Sequence, residues 1–422
     1  MVHGAKSVVL VSPSNRFAPA VYLHLRSIHN ATDMNPTTDN SVSHAPLLPT
    51  PRYCPNIAAP SGWAFFFRNW IAQLFTLLLV SIPFSVEAEP FLAVQNGFQC
   101  SQCHINPTGA GMRNAFGAVF SRTLLPSHTT NIDNELAKLT GDPFGVGLDM
   151  RAALRRLDFP SQTGNVEFNM DRTTLYVTAK PSASLRLYLD EEVSQSGATN
   201  RETWAKYSFG STYLKAGRIF LPYGLRLEDD SAFIRDATRV QFGHPDTGIE
   251  FGHVGTHVSA QVAVTNGTEG GPEVDSGKQV TGRFSWVEPG YRVGLSASGN
   301  NTSTTDRTMF GAFAGILTGP IDWLAEYDHV KNSLPGSPDN TLNAAYLEAD
   351  WKVTQGGYFR VTAETLRSPS NTAPDNNRYT VEYSWYPVPM AQLRFVASMS
   401  DYRGANPFMN YNNYFVQIHL YL

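Results

Sequence analysis

Long apolar runs are nearly missing from this 422-residue chain: only one stretch, within Trp63–Ile82, could be weighed as a membrane helix. A polytopic helical membrane protein is therefore excluded, because several such stretches would lift the mean hydropathy well above zero, and here it is -0.23. Cysteine is scarce too. Three of them cannot build a disulfide framework. Basic excess is also absent. A net charge of -4 and a sequence pI near 6.3 remove the usual nucleic-acid-binding class, so no nucleic acid is expected as a partner. Against 16% charged residues stand 33 Gly, 18 Tyr and 12% aromatics, a mixture that fits amphipathic strands better than helices.

Export is written near the front of the chain. Residues 1–62 are rich in Pro, Ser, Thr and Asn, show no sustained period, and are expected to be a non-native or disordered extension. A basic flank at Arg68, the apolar run Trp70–Val80, a breaking Pro83 and the small-residue site Val86-Glu87-Ala88 match a secretory signal over residues 63–88. The uninterrupted apolar core is too short for a comfortable membrane span. Cleavage is expected after Ala88.

Loss of Cys54 with that leader leaves two cysteines, both inside Cys100-Ser101-Gln102-Cys103-His104. This is the haem c attachment pattern. Two thiols three residues apart can add to the two vinyl groups of one porphyrin, and the adjacent imidazole then falls under the ring as the proximal iron ligand. A thioredoxin-like pair would need a βαβ context, and a zinc site a second ligand pair; neither is visible. The cofactor expectation is one covalently attached haem c on Cys100, Cys103 and His104. For the distal iron position Met112 and His128 are the nearest candidates, with a more distant His, another Met or an open position as the alternatives.

From about residue 146 the pattern alternates with period 2. Tyr379, Val381, Tyr383 and Trp385 share one face against Arg378, Thr380, Glu382 and Ser384 on the other. The same alternation sets Phe359, Val361 and Ala363 against Arg360, Thr362 and Glu364. Strands are predicted over 146–158, 166–179, 183–195, 201–209, 211–219, 246–253, 256–265, 278–287, 291–299, 307–317, 320–330, 341–352, 357–366, 377–386, 391–401 and 411–422. Alternation alone also suits a soluble sandwich. Three features favour a membrane barrel: aromatics near strand ends (Trp204, Trp286, Trp323, Trp351, Trp385, Tyr386), short turns alternating with long polar loops, and a terminal strand able to close a cylinder. The predicted fold is thus all-β, an outer-membrane antiparallel β-barrel of about 16 strands over residues 146–422, preceded by a small haem c segment over residues 89–145.

Such a barrel is wide enough to leave a channel unless something fills it. The 89–145 segment has too little apolar material for a core of its own, so docking in the barrel mouth is expected. Inward charges of both signs, among them Arg283, Arg292, Arg360, Arg378 and Arg394 with Glu326, Asp350, Glu364 and Glu382, are read as cross-strand ion pairs that prop the wall, or as an ion-selective lining.

This arrangement resembles the fused monohaem cytochrome c–porin family of iron-oxidising bacteria. The likeness rests on Ala93, Gln95, Gly97, Cys100, Cys103 and His104, and on Phe116-Gly117-Ala118-Val119-Phe120. Separately, Ala216-Gly217-Arg218-Ile219-Phe220-Leu221-Pro222-Tyr223-Gly224 is similar to a porin segment where a strand ends and a loop turns inward. The family resemblance implies an outer-membrane electron conduit. Its partners would be a periplasmic c-type cytochrome or other soluble carrier, an extracellular donor or acceptor such as ferrous iron, and outer-membrane lipid. A lipid-facing band about 25 Å tall is too thick for efficient tunnelling in one step, so the remaining steps belong to those partners. No catalytic acid, base or nucleophile is expected. The rival readings are a solute porin whose haem-bearing segment is a plug or sensor, and a haem enzyme with an open sixth position.

Overall fold

The structure is a computed structural model that describes residues 89–129, 142–160, 162–194, 197–227, 229–302, 306–369, 375–403 and 410–422. The predicted extension (1–62) and signal (63–88) lie outside them. Period-2 alternation becomes strand throughout: β1 (Phe144–Asp158), β2 (Val166–Ala179), β3 (Leu185–Ser194), β4 (Gly197–Phe209), β5 (Thr212–Ile219), β6 (Asp246–Val254), β7 (Val258–Thr265) and β8 (Gln279–Glu288) form the first half. The second half is β9 (Tyr291–Asn301), β10 (Asp306–Thr318), β11 (Ile321–Ser333), β12 (Asn340–Thr354), β13 (Gly357–Arg367), β14 (Asn376–Trp385), β15 (Ala391–Tyr402) and β16 (Tyr411–Tyr421). Each strand pairs antiparallel with the next, and β16 returns to β1 in a register that sets Leu154 opposite Val416, so the sheet is a closed sixteen-stranded barrel. Closure leaves no unpaired edge, which is what a wall in hydrocarbon requires.

The faces are inverted relative to a water-soluble protein. Phe284 and Leu295, cross-strand neighbours on β8 and β9, are 44% and 62% exposed on the outside. The adjacent inward pair Arg283 and Ser296 is buried. Repeated around the wall, this puts an apolar belt outside, which only lipid can satisfy at low cost. Trp286, Tyr291, Trp323, Trp351 and Trp385 stand exposed near the tight-turn ends of their strands, as an interfacial girdle does. Two residues expected in that girdle are elsewhere. Trp204 falls on the inward register of β4 and is buried inside the lumen, stacked on Tyr188 at 4.8 Å, and Tyr386, one residue past β14, is buried at the mouth against Tyr358.

Turns such as 289–290, 319–320 and 355–356 are tight at one end of the barrel, while connections such as 220–245, 266–278 and 334–339 are long at the other. In the first of the long ones the chain leaves β5 and runs into the lumen. Gly224 N donates to Ser296 Oγ at 2.9 Å, Leu225 N to Glu326 Oε2 at 2.7 Å and Phe233 N to Glu364 Oε2 at 2.8 Å, and a short helix, Phe233–Thr238, packs on β11, β12 and β13. Three luminal ion pairs prop the wall as the sequence led one to expect, Arg360–Asp350, Arg378–Glu364 and Arg394–Glu382, each at 2.7 Å, and a fourth, Lys215–Glu250 at 2.9 Å, was not foreseen.

The N-terminal segment sits in the tight-turn mouth. Gly290 N donates to Val94 O at 2.8 Å, Ser127 N to Tyr386 O at 2.8 Å and Gln355 Nε2 to Leu124 O at 2.7 Å, while Glu89 reaches Arg360 at 3.2 Å. Phe91, Leu92 and Val94 join Met309, Phe313, Leu324 and Tyr358 in one apolar cluster inside the barrel. The largest core thus lies within the cylinder, shared by wall, N-terminal segment and inturned loop.

Candidate functional site

The mouth segment is three short helices held by caps and close contacts. Helix α1 (Pro90–Asn96) starts with proline in its first turn, where the missing N–H costs nothing, and stops at Gly97 with φ 66°. Glycine is required there twice over: any Cβ would also lie 2.6 Å from the backbone nitrogen of Pro289. Helix α2 (Cys100–Cys103) is a single turn, capped by Gln102 Oε1 accepting from Gln99 N at 2.8 Å. One helical turn brings residues three apart onto the same side, which gathers the two thiols.

His104 follows in extended backbone, its N–H still donating to Cys100 O at 2.9 Å. Residues 106–111 loop back so that His104 bridges to Arg113 and Ile105 N donates to Met112 O at 3.0 Å. The return puts Gly111 O 3.3 Å from His104 Nδ1. A carbonyl there favours the proton on Nδ1, places the lone pair on Nε2 and holds the ring plane. Helix α3 (Ala115–Thr123) is then tied to α2: Asn114 caps it by accepting from Gly117 N at 3.0 Å while its Nδ2 donates to Ser101 O at 2.9 Å. A Cβ on Gly117 would fall 2.2 Å from Cys103 O. Gly117→Ala is therefore expected to push α3 off the CxxCH turn at a cost of about 1–3 kcal/mol, as overpacking does; any haem absorbance per folded barrel would fall with it.

Between this segment, the inturned loop and the β8–β9 wall lies a cleft enclosing about 820 Å³ of non-atom space, the solvent at its open side included. Cys100, Cys103 and His104 line it together. Leu92, Ala93, Phe98, Phe120, Leu227 and Phe242 supply apolar walls, and Arg226, Arg283 and Arg292 supply charge. Arg292 Nη2 donates to Cys100 Sγ at 3.3 Å. The two thiols are inequivalent. Burial alone would raise Cys100, but the charges of Arg292, Arg283 and Arg226 outweigh it and lower that thiol; at Cys103 burial dominates and pushes it up to about 11.

No family model matches the chain, and no curated protein matches its sequence. Among solved structures it is similar to OmpT, an outer membrane protein of Vibrio cholerae, at 11% identity over 67% of this chain and 100% of that one, with a TM-score of 0.52. An anion-selective porin from Comamonas acidovorans is similar at 11% identity, 66% and 98% coverage and a TM-score of 0.51, and the outer membrane channel DcaP of Acinetobacter baumannii at 12%, 66%, 97% and 0.50. The fold is porin-like. At such identities the likeness speaks for the porin-like barrel alone.

Neither distal candidate lines the cavity of this porin-like barrel. Met112 is 1% exposed in a separate cluster with Ile105, Tyr176, Tyr188, Trp204, Ile219 and Ala263, its backbone N–H donating to Tyr188 Oη at 3.0 Å. His128 is exposed at the rim, where its Nδ1 lies 3.3 Å from Pro387 O. Met112→Leu is accordingly expected to fold, to cost less than about 1.5 kcal/mol as a volume-conserving swap, and to leave any haem bands where they are in a visible spectrum. Among the described residues His104 is the one imidazole lining the cavity, and no methionine does.

Sequence reasoning missed three parts of the site. The Gly111 carbonyl behind His104 is a backbone group and leaves no residue signal. The inturned loop contributes Arg226, Leu227 and Phe242 from more than a hundred residues away in sequence. Arg283 and Arg292 were expected in carboxylate pairs, and among the described residues they have none. Their positions on β8 and β9 turn them to the cavity, and the one carboxylate among its described lining residues, Glu89, is bound to Arg360.

Proposed function

We propose that this chain is an outer-membrane electron-transfer protein in which a single haem c, tethered in the tight-turn mouth of a porin-like barrel, exchanges electrons with a soluble periplasmic carrier. The observation that carries the reading is the convergence of Cys100, Cys103 and His104 on one cavity. Donor set and enclosure both fit the group: two thiols on one helical turn, an imidazole whose Nδ1 is held by Gly111 O, apolar walls and cationic side chains.

Bound haem would supply a one-electron redox couple. The chain's own residues do the rest. Cys100 and Cys103 would hold the macrocycle by two covalent links, and His104 would present Nε2 to iron. Phe98, Phe120 and Phe242 exclude water, and with the nearby arginine charges they would set the potential. Tight turns mark the periplasmic side of bacterial barrels, so the mouth segment faces a periplasmic partner. Beyond the cavity the inturned loop packs its apolar side chains against the wall, and a second carrier would approach from the loop side. Ferrous iron is the extracellular donor implied by the family resemblance.

The test is a visible spectrum of the membrane fraction with and without ferrous iron. Haem c bands that ferrous iron reduces support the reading; a colourless protein from a host competent in haem attachment overturns it. Bands that iron leaves oxidised would retain the haem and remove iron as donor. A lumen narrowed by the inturned loop and the docked N-terminal segment also predicts low ion conductance in planar bilayers. A large steady conductance would favour a solute porin.

A further inference from the structure

Arginines in the lumen of this barrel are generally matched to carboxylates. Arg360 meets Asp350, Glu348 and Glu89, Arg378 meets Glu364 and Asp229, Arg394 meets Glu382, and Arg235 meets Glu326. The three that line the mouth cavity break this pattern. Arg283 and Arg292 are 4% and 2% exposed, and among the described residues no carboxylate is in ion-pair contact with them or with Arg226; Glu326 acts on Arg283, and Glu202 and Glu250 on Arg226, only from a greater distance. Their contacts are neutral: Arg283 Nε donates to Gly224 O at 2.9 Å, Arg292 Nη2 to Cys100 Sγ at 3.3 Å, and Arg226 Nη2 to Leu221 O. The Nε atoms of Arg226 and Arg292 are buried with no partner.

Aromatic faces offer partial relief, with Phe313 4.9 Å from the Arg283 guanidinium and 5.6 Å from that of Arg292, and Phe220 5.5 Å from Arg226. Such contacts recover only a fraction of the cost of burying a cation, and here three cations also repel one another. A planar fork of N–H donors left open in a buried cleft matches the geometry of a carboxylate.

We propose that Arg226, Arg283 and Arg292 form a carboxylate-binding site in the mouth cavity, completed by anionic oxygens that the chain itself does not provide. Two sources share this chemistry: the propionates of a haem tethered at Cys100 and Cys103, and a free small carboxylate entering from the periplasm. The first source rests on the function proposed above; the second does not. The cluster runs from Arg292, beside Cys100 next to the β8–β9 turn, to Arg283 further along β8, so a macrocycle anchored at the mouth would have guanidinium groups along its length.

The test compares the full chain with Arg283→Gln/Arg292→Gln and Arg283→Lys/Arg292→Lys, each checked for folding by its heat-modifiable migration on gels. Resonance Raman spectra report hydrogen bonding to the haem propionates, and calorimetric titration with succinate reports a free-anion site. If the propionates occupy the cluster, their bending modes shift in the Gln pair and largely return in the Lys pair, and the parent takes up no succinate. If a free carboxylate occupies it, the modes stay put, and succinate binding by the parent weakens at least tenfold in the Gln pair, a change of about 1.4 kcal/mol. Should the Gln pair fail to fold, Arg292→Gln alone carries the same comparison. A coloured protein with invariant modes and no succinate binding overturns the site. A colourless protein overturns the haem reading instead, and the succinate titration then decides this site by itself.

Discussion

Cys103→Ala membranes are expected to lose the haem absorbance bands almost completely while retaining a folded barrel. Cys103 is 8% exposed, directly precedes His104 and shares the cavity wall with it. A methyl group there cannot form a thioether. One link, through Cys100 alone, would leave the porphyrin free to swing away from the imidazole. Closure of the barrel depends on strand pairing from β1 to β16 and involves neither cysteine, so heat-modifiable migration should be unchanged. Bands of parental intensity in the variant would refute covalent attachment at this pair. Cys103→Ser, which keeps the volume and removes the chemistry, should behave as the alanine variant does.

Arg360→Met is expected to be the most damaging single change in the lumen. Its guanidinium sits 2.7 Å from Asp350, 3.3 Å from Glu348 and 3.2 Å from Glu89, so removing it strands three buried carboxylates around one apolar side chain. Breaking one partner of a buried ion pair costs about 3–5 kcal/mol, because the remaining charge is left uncompensated. Denaturant unfolding of the detergent-solubilised protein would read this as a lowered midpoint. Glu89→Gln removes one of the three acids and leaves Arg360 matched to the other two, so its loss should be much smaller. Equal losses for the two variants would mean that the cluster is not held together by this arginine.

Much of the barrel was legible in the sequence because a two-residue period is a local signal. Leu187 and Leu189 outward with Tyr188 and Asp190 inward can be read from three or four neighbours at a time, and the sixteen strands fall close to their expected spans. Strand limits moved where turns are irregular: β1 begins at Phe144 rather than residue 146, and β4 at Gly197 rather than 201. Trp204 was misplaced because an aromatic near a strand end satisfies both a girdle and a stacked luminal position, and only register separates them. At the site, CxxCH was visible because its chemistry lives in five consecutive residues. The arginine trio was not, since Arg226 comes from the inturned loop and Arg283 and Arg292 from the wall, and their lack of acids is a property of three-dimensional neighbours.

Enclosure also dictates chronology. The segment bearing Cys103 and His104 lies in the mouth of a cylinder whose final seam joins the first strand to the last, and the burial of both residues there makes the thiols far easier to reach before β16 has zipped onto β1. A covalent group carried there would then be installed on the chain before its strands close. The wall needs no such group to pair, so a chain that skipped this stage would still form its barrel, with the buried thiol harder to reach afterwards.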